Sequence, residues 1–248
     1  MPKKLFVVSD IHSYYTPLKK ALDEKGFDPN NENHWLIVCG DAFDRGGESE
    51  EVLHFLMSLE RKILVKGNHD ILFEDLCKRE APYYHDYSNG TLKTVEDLGD
   101  MGMGYSFEKC CEVAWNKTAA YRDLLVNYFE TKNYIFVHSW IPHYSQDDGS
   151  VKYDPSWRAA TNDRWEEAMW VNPFDMHMLD LNKTCKTIIF GHWHCSAGHK
   201  MLGHSKDEFN GYPIWEPCYA TGIIGIDRCT AHTGEVNVLV LEDEFLEE

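Results

Sequence analysis

Asp41, Asp44 and Arg45 fall within the seven residues Gly40-Asp41-Ala42-Phe43-Asp44-Arg45-Gly46. Two carboxylates in so short a stretch suit the binding of a cation. The same residue types recur at four other places: Ser9-Asp10-Ile11-His12, Gly67-Asn68-His69-Asp70, an isolated His138, and Gly191-His192-Trp193-His194. Divalent ions of hard or borderline character take carboxylate, amide oxygen and imidazole, whereas soft sites recruit cysteine. Asp10, His12, Asp41, Asn68, His138, His192 and His194 are therefore the candidate ligands, enough for two ions. A carboxylate can bridge two cations, and a pair roughly 3.5–4 Å apart can activate water and clamp an in-line phosphoryl displacement.

These residues need a scaffold that delivers them to one place. Each group follows a short apolar run: Leu5–Val8, Trp35–Cys39, Ile63–Val65, Tyr134–Val137 and Thr187–Phe190. Such runs are too short for globular helices and read as buried strands. The polar groups then sit at strand carboxyl ends, the rim where open α/β sheets collect ligands. Packing alone gives no reason for imidazole or carboxylate at five strand ends.

Between the strands, Thr16 is expected to cap a helix with Pro17 at its first position, ended by Gly26. A second helix is expected from about Glu48, with Val52, Phe55, Leu56 and Leu59 on one face, and a third over Ile71–Lys78. Successive β-α-β units imply a mostly parallel sheet. The pattern weakens from Pro82 to Lys132, a segment expected to cap the site, with one helix over Ala119–Phe129. A second irregular segment runs from 139 to about 184 and holds Trp157, Trp165 and Trp170, as cap core or as substrate wall, with packing favoured. Gly222–Asp227 and Val236–Leu241 read as an antiparallel hairpin around His232-Thr233-Gly234. Glu242–Glu248 reads as a solvated acidic tail.

The length suits one large α/β domain over 1–248 with cap-like insertions at about 82–132 and 139–184. With 43% hydrophobic and 26% charged residues, the composition is that of an ordinary globular protein. A formal charge of −17 argues against general nucleic-acid binding. The apolar run after Met1-Pro2-Lys3-Lys4 is too short for a signal peptide, and no run approaches membrane-spanning length. The eight cysteines contain no Cys-x-x-Cys pair and read as reduced, mostly core thiols of a cytoplasmic protein, with no place assigned to the adjacent Cys110-Cys111. His34, His54, His85, His143, His177, His199, His204 and His232 fit no second site.

Taken in order, Asp-x-His, Gly-Asp-x-x-Asp-Arg-Gly, Gly-Asn-His-Asp, a strand-end His and Gly-His-x-His resemble the calcineurin-like metallophosphoesterases. The resemblance covers Leu5 to His194 and implies an α/β fold, a β-sandwich of mixed sheets flanked by helices. It implies two divalent metal ions (Mn, Fe or Zn), one held by Asp10, His12 and Asp41 with His194 as a further ligand. Asp41, Asn68, His138 and His192 would hold the other, so that Asp41 bridges and a hydroxide between the ions attacks phosphorus. His69 would protonate the leaving oxygen, Asp44 would orient it, and Arg45 would bind phosphate, with Asn68 and His69 also at the substrate. The bland alternative for Asp44 and Arg45 is a structural ion pair, and Asp70 reads as a structural partner.

Within that superfamily the chain looks most like the Ser/Thr protein phosphatase branch and its bacterial and phage relatives, down to Ala168-Met169-Trp170-Val171-Asn172-Pro173. It departs from that branch at Lys66, where Arg is usual, and in Gly-His-x-His. Arg158 and Arg164 are the candidates for a second phosphate-binding arginine. The leading expectation is a dinuclear phosphomonoesterase acting on phosphoprotein or a small phosphorylated molecule. The alternatives are a dinucleoside polyphosphate or cyclic nucleotide phosphodiesterase on the same core, and a binding module that has lost catalysis.

Overall fold

Period-two alternation sorts the first strands into two separate cores. Leu5 and Val7 point one way with Ile37 and Cys39, while Phe6 and Val8 point the other way with Leu36 and Val38. The computed structural model describes residues 2–146 and 148–246; Met1 and the last two residues of the acidic tail, Glu247 and Glu248, lie outside the described residues.

In chain order the strands are β1 (Lys3–Val8), β2 (His34–Cys39), β3 (Lys62–Val65), β4 (Leu125–Val126), β5 (Phe129–Glu130), β6 (Tyr134–Phe136), β7 (His143–Ser145), β8 (Val151–Tyr153), β9 (Thr187–Phe190), β10 (Cys218–Ala220), β11 (Ile223–Gly225) and β12 (Leu239–Asp243). One sheet has the order β12-β1-β2-β3-β4, the other β10-β11-β9-β6-β5, and β7-β8 form a separate hairpin. The β1, β2, β3 and β4 pairs are parallel, as are β6-β9 and β9-β11, with antiparallel strands added at the flanks. The sheets pack face to face through Leu5, Val7, Ile37, Val65, Phe136 and Ile189. This is a sandwich of mixed sheets with helices outside, the architecture expected from the sequence.

Helices Tyr15–Glu24, Ser49–Ser58 and Asn68–Arg79 cover the outer face of the first sheet. The first of them begins before Thr16, whose backbone N–H and hydroxyl both bond the Glu48 carboxylate. Thr16 is therefore no cap. Glu48 reaches back to the positive end of that helix instead.

The segment 82–132 is more regular than its glycines suggested. It forms helices Tyr84–Asn89, Thr91–Leu98 and Phe107–Lys117, whose Val95, Leu98, Cys110, Cys111 and Ala114 complete the first core. The adjacent cysteines thus have a packing role, Cys110 and Cys111 both being buried. The helix expected over Ala119–Phe129 stops at Arg122, because Leu125–Val126 and Phe129–Glu130 are claimed as edge strands by different sheets. Trp157, Trp165 and Phe174 form the outer core of the second sheet, while Trp170 is half exposed and lies at the site. All eight cysteines are free, and seven are buried.

The expected hairpin at the end is not formed. Residues 223–225 pair with β10 and β9, whereas Leu239–Asp243 crosses to the first sheet and pairs with β1; a short helix, Thr230–Thr233, lies between. The start of the supposed acidic tail is consequently structural. Asp243 is buried, accepting from the Thr131 hydroxyl at 2.7 Å, the Asn133 N–H at 2.9 Å and the Asn133 amide at 2.6 Å. Phe245 packs edge-on against Trp35 and Phe129.

Burial opposes a charge on Asp243, but these donors outweigh it and hold the carboxyl below its ordinary 3.8. A carboxylate depressed in the folded state contributes stability that is present above the unfolded value and lost as pH falls through the folded one. Asp243→Asn should therefore cost about 1–3 kcal/mol at pH 7 and flatten the loss of stability below about pH 4. Urea midpoints at pH 7 and 3.5 measure both, and an equally steep acid loss in the variant would remove Asp243 from the account.

Candidate metal centre

The loops after β1 and β2 run side by side. Asp10 N–H donates to Gly40 O at 3.2 Å, His12 N–H to Asp41 O at 3.0 Å, Ser13 N–H to Ala42 O at 2.9 Å, and Gly46 N–H back to His12 O at 2.8 Å. Satisfying these backbone groups forces an unusual geometry. Asp10, His12, Asp41, Asp44, Arg45 and His192 all have φ between 48° and 77°. Non-glycine residues tolerate that region only when their surroundings over-determine it, as happens at functional sites. Gly40, at φ 82°, is needed for a further reason: a Cβ there would fall 2.3 Å from His138 Nδ1.

The strand ends bring six of the seven expected ligands, Asp10, His12, Asp41, Asn68, His192 and His194, to the lining of one cavity of about 150 Å³, with His138 just behind Asn68 and Asp41. Asp41 is shared by two donor clusters, one with His12 and His69 and one with His138 and His192, their ligand atoms lying within 4.8 Å of one another. Asp10 Oδ1 stands 3.9 Å from His12 Nε2, and its Oδ2 accepts the His192 N–H at 2.9 Å. His194 lies at the margin, its Nδ1 3.4 Å from Glu208 Oε1.

Imidazole orientation indicates what these clusters can hold. His12 Nδ1 donates to Phe43 O at 2.9 Å, and His138 Nδ1 donates to Cys39 O at 3.0 Å. Each Nε2 then presents a lone pair, the arrangement by which a carbonyl partner orients a metal-binding histidine. His138 Nε2 faces Asn68 Oδ1 at 2.7 Å and Asp41 Oδ2 at 3.4 Å. Three lone-pair donors converge there, and a divalent cation fits among them. Burial and the neighbouring Asp41 push the Asp10 carboxyl well up. Burial and His138 push His192 down to about 3, while burial and His69 hold His12 well below its usual range. Neutral imidazoles are the form that metal ligation requires, whereas the raised Asp10 carboxyl would give up its proton as an ion binds.

His69 is set apart from that group. Its Nδ1 donates to Asp44 Oδ2 at 2.7 Å, and its Nε2 lies 3.5 Å from the Arg45 guanidinium. Burial works against a charge on His69, but Asp41 and Asp44 outweigh it and lift its pKa to about 9. Asp44 itself, fully buried, accepts from Thr91 Oγ1 at 2.6 Å and Thr94 Oγ1 at 2.7 Å, and its N–H donates to Thr94 Oγ1 at 3.0 Å. Its partners are therefore His69 and two threonines, and an Asp44–Arg45 ion pair is not formed. Gly90, just before the helix that carries both threonines, lets that helix approach: a Cβ would fall 2.3 Å from Arg45 N.

Thr94→Val should leave a buried N–H and a carboxylate oxygen unpaired, costing about 1–3 kcal/mol in urea denaturation. Thr94→Ser should restore it. Equal stability of the two variants would show that Thr94 does not hold Asp44.

Asp70, read as structural, accepts from Gly67 N–H at 2.8 Å and Tyr121 Oη at 3.0 Å, fixing the turn into helix Asn68–Arg79. Arg158 and Arg164 do not reach the cavity: Arg158 forks onto Glu130 at 2.6 and 2.8 Å, and Arg164 onto Asp154 and the His143 carbonyl, each at 2.7 Å. Sequence reasoning missed Asp227, which is buried at the cavity. Its signal was present, since it follows the apolar run of β11 as Asp10 and Asp41 follow theirs. Thr91 and Thr94 gave no signal, being ordinary residues three apart on a helix.

The family profile described as calcineurin-like phosphoesterase matches residues 3–196. The chain belongs to the calcineurin-like phosphoesterases.

Among curated relatives, this phosphoesterase is 41% identical over 68 residues to a symmetrical bis(5'-nucleosyl)-tetraphosphatase of Thioalkalivibrio sulfidiphilus, covering 27% of this chain and 24% of the relative. It is 34% identical over 112 residues to the enzyme of that name from Xylella fastidiosa, covering 44% and 38%. The matches thus span well under half of either relative. Among solved structures, a candidate diadenosine tetraphosphatase superposes with a TM-score of 0.51 at 16% identity, covering 99% of this chain and 95% of the other. A cold-active protein-tyrosine phosphatase of a psychrophilic Shewanella superposes with 0.52 at 16% identity, covering 96% and 75%. At these identities the structures speak for the fold. No helix among the described residues is long and apolar enough to cross a membrane.

Proposed function

We propose that this phosphoesterase hydrolyses a nucleoside polyphosphate, with a dinucleoside polyphosphate as the substrate class. The observation that carries the reading is a groove of about 690 Å³ that shares Arg45 and Ala231 with the metal-binding cavity and continues past Lys93, Tyr14 and Tyr87. An ammonium and two aromatic faces beyond the phosphate-binding arginine suit further phosphates and a base. A small monoester would leave the groove empty. The partial likeness to symmetrical bis(5'-nucleosyl)-tetraphosphatases supports the same reading.

Asp10, His12 and Asp41, with His194, would hold one divalent ion, and Asp41, Asn68, His138 and His192 would hold a second, each being Mn, Fe or Zn. When bound, the ions supply Lewis acidity to the phosphoryl oxygens and to the attacking water. Arg45 forks onto nonbridging oxygens. His69, its Nδ1–H held by Asp44, delivers the Nε2 proton to the leaving oxygen. Asp44 is aimed by the hydroxyls of the two threonines.

Phosphomonoester hydrolysis, the first expectation from the sequence, stands second, since both arginines considered for protein-phosphatase-like binding are committed to Glu130 and Asp154. With added manganese, kcat/KM for a dinucleoside tetraphosphate should exceed that for 4-nitrophenyl phosphate or a phosphoserine peptide by about 100-fold, some 2.7 kcal/mol of transition-state binding. Lys93→Ala should raise the dinucleotide KM about tenfold and leave the aryl phosphate unaffected. Preference for either monoester overturns the assignment.

A further inference from the structure

Two histidines that fit no site in the sequence meet a buried cysteine in the structure. His199 lies in the helix Cys195–Met201, His204 shortly after it, and Cys218 opens β10; their ligand atoms lie within 4.8 Å of one another. His199 Nε2 donates to the Glu216 carbonyl at 3.1 Å, which directs the Nδ1 lone pair toward His204 Nδ1, 3.1 Å away. A histidine whose far nitrogen is held by a backbone carbonyl is in the pose of a metal ligand. The spacing His-x₄-His followed by a cysteine falls in the range used by zinc sites. The mixed nitrogen and sulfur donor set differs from the oxygen and imidazole set around Asp41, and it selects a softer ion.

We propose that His199, His204 and Cys218 supply three donors of a separate zinc site, its fourth position left to water, that clasps the segment 202–217 to the helix following His194. The segment is worth holding. It carries Glu208 against His194 Nδ1 at 3.4 Å, the Phe209 ring 5.6 Å from the His194 ring, and Trp215, whose carbonyl accepts from Asn237 at 2.7 Å. No named strand or helix lies between Met201 and Cys218, so one ion bonded near both ends would close this loop and fix the wall beside the metal-binding cavity. The Cys218 thiol, pushed up to about 11 by burial, would be deprotonated on binding zinc, releasing its proton.

The test is cobalt substitution of the full chain. A thiolate ligand gives a near-ultraviolet sulfur-to-cobalt charge-transfer band, which a centre of carboxylates, amide and imidazoles lacks. Cys229 lines the cavity around Asp41, so Cys229→Ser separates the two sources. The wild type and Cys229→Ser should show the band, and Cys218→Ser and His204→Ala should lose it. Zinc-loaded His204→Ala, altered at an exposed position and expected to fold, should hold one equivalent of zinc less than the wild type and be cleaved faster by protease within 202–217. Absence of the band from the wild type, its loss in Cys229→Ser, or unchanged zinc content in His204→Ala each overturns the clasp. All readouts are independent of hydrolytic activity, so failure of the proposed substrate class would leave this result unaffected.

Discussion

Replacing His69 with Asn should lower kcat by about 10²–10⁴-fold, the range for loss of a positioned general acid, while the metal content stays at the wild-type value. The geometry separates His69 from the other buried histidines. Its Nδ1 is bonded to Asp44 at 2.7 Å, whereas His12 and His138 direct Nδ1 to backbone carbonyls and leave Nε2 for a cation. Burial lowers the His69 pKa, but before ions bind Asp41 the Asp41 and Asp44 carboxylates outweigh it and raise it to about 9, and the Asp44 bond continues to hold the imidazolium afterwards. Turnover in the wild type should then fall on the alkaline side as this proton is lost, and the Asn variant should lack that limb. Metal analysis beside a pH–rate profile decides the matter. Wild-type turnover in the variant would remove His69 from the reaction, and loss of metal with it would make His69 a ligand, which its place in the cluster with His12 and Asp41 permits.

The second large effect is expected at Asp41. This is the one residue common to both donor clusters, and its side chain also accepts the His69 N–H at 3.1 Å. An amide keeps that last bond but offers a single neutral oxygen where a carboxylate offers two charged ones. Asp41→Asn should weaken metal binding by more than about 100-fold, beyond the 10–100-fold typical of losing an outer partner. Hydrolysis should disappear with it. Manganese at 100 times its Kd stabilises a binding fold by about 2.7 kcal/mol, so the wild-type thermal midpoint should rise with manganese and the variant's should not. A variant that keeps two ions would show that Asp41 does not bridge.

The parts of the site legible in the sequence share one physical cause. A buried strand must be apolar, and a polar residue at its carboxyl end needs a reason; β1, β2, β3, β6 and β9 each supplied an apolar run and a chemically capable ending. Asp227 obeys the same rule and was missed because the run before it was assigned to a hairpin. That error came from topology: antiparallel neighbours in sequence usually pair, yet Val236–Leu241 was drawn across to β1 in the other sheet. The supports of Asp44 were illegible for a different reason. Thr91 and Thr94 act through a helix brought against the loop by Gly90, and nothing local distinguishes them from surface threonines. The helices of 82–132 were obscured by glycines that in the structure mark helix ends, such as Gly90 at φ 81°.

The pairing of β12 with β1, from Lys3 opposite Asp243 to Val7 opposite Leu239, also has a bearing on biosynthesis. A ribosome adds residues 239–243 after every other described strand has been synthesised. Until translation passes that point, β1 has one unpaired edge, and the strand leading into Asp10 and His12 is held from one side only. An open, apolar edge on a nascent chain is a template for mispairing. Cation loading of the Asp10 half of the site should accordingly follow release of residues 239–243, and chains arrested upstream of Leu239 should aggregate rather than bind metal.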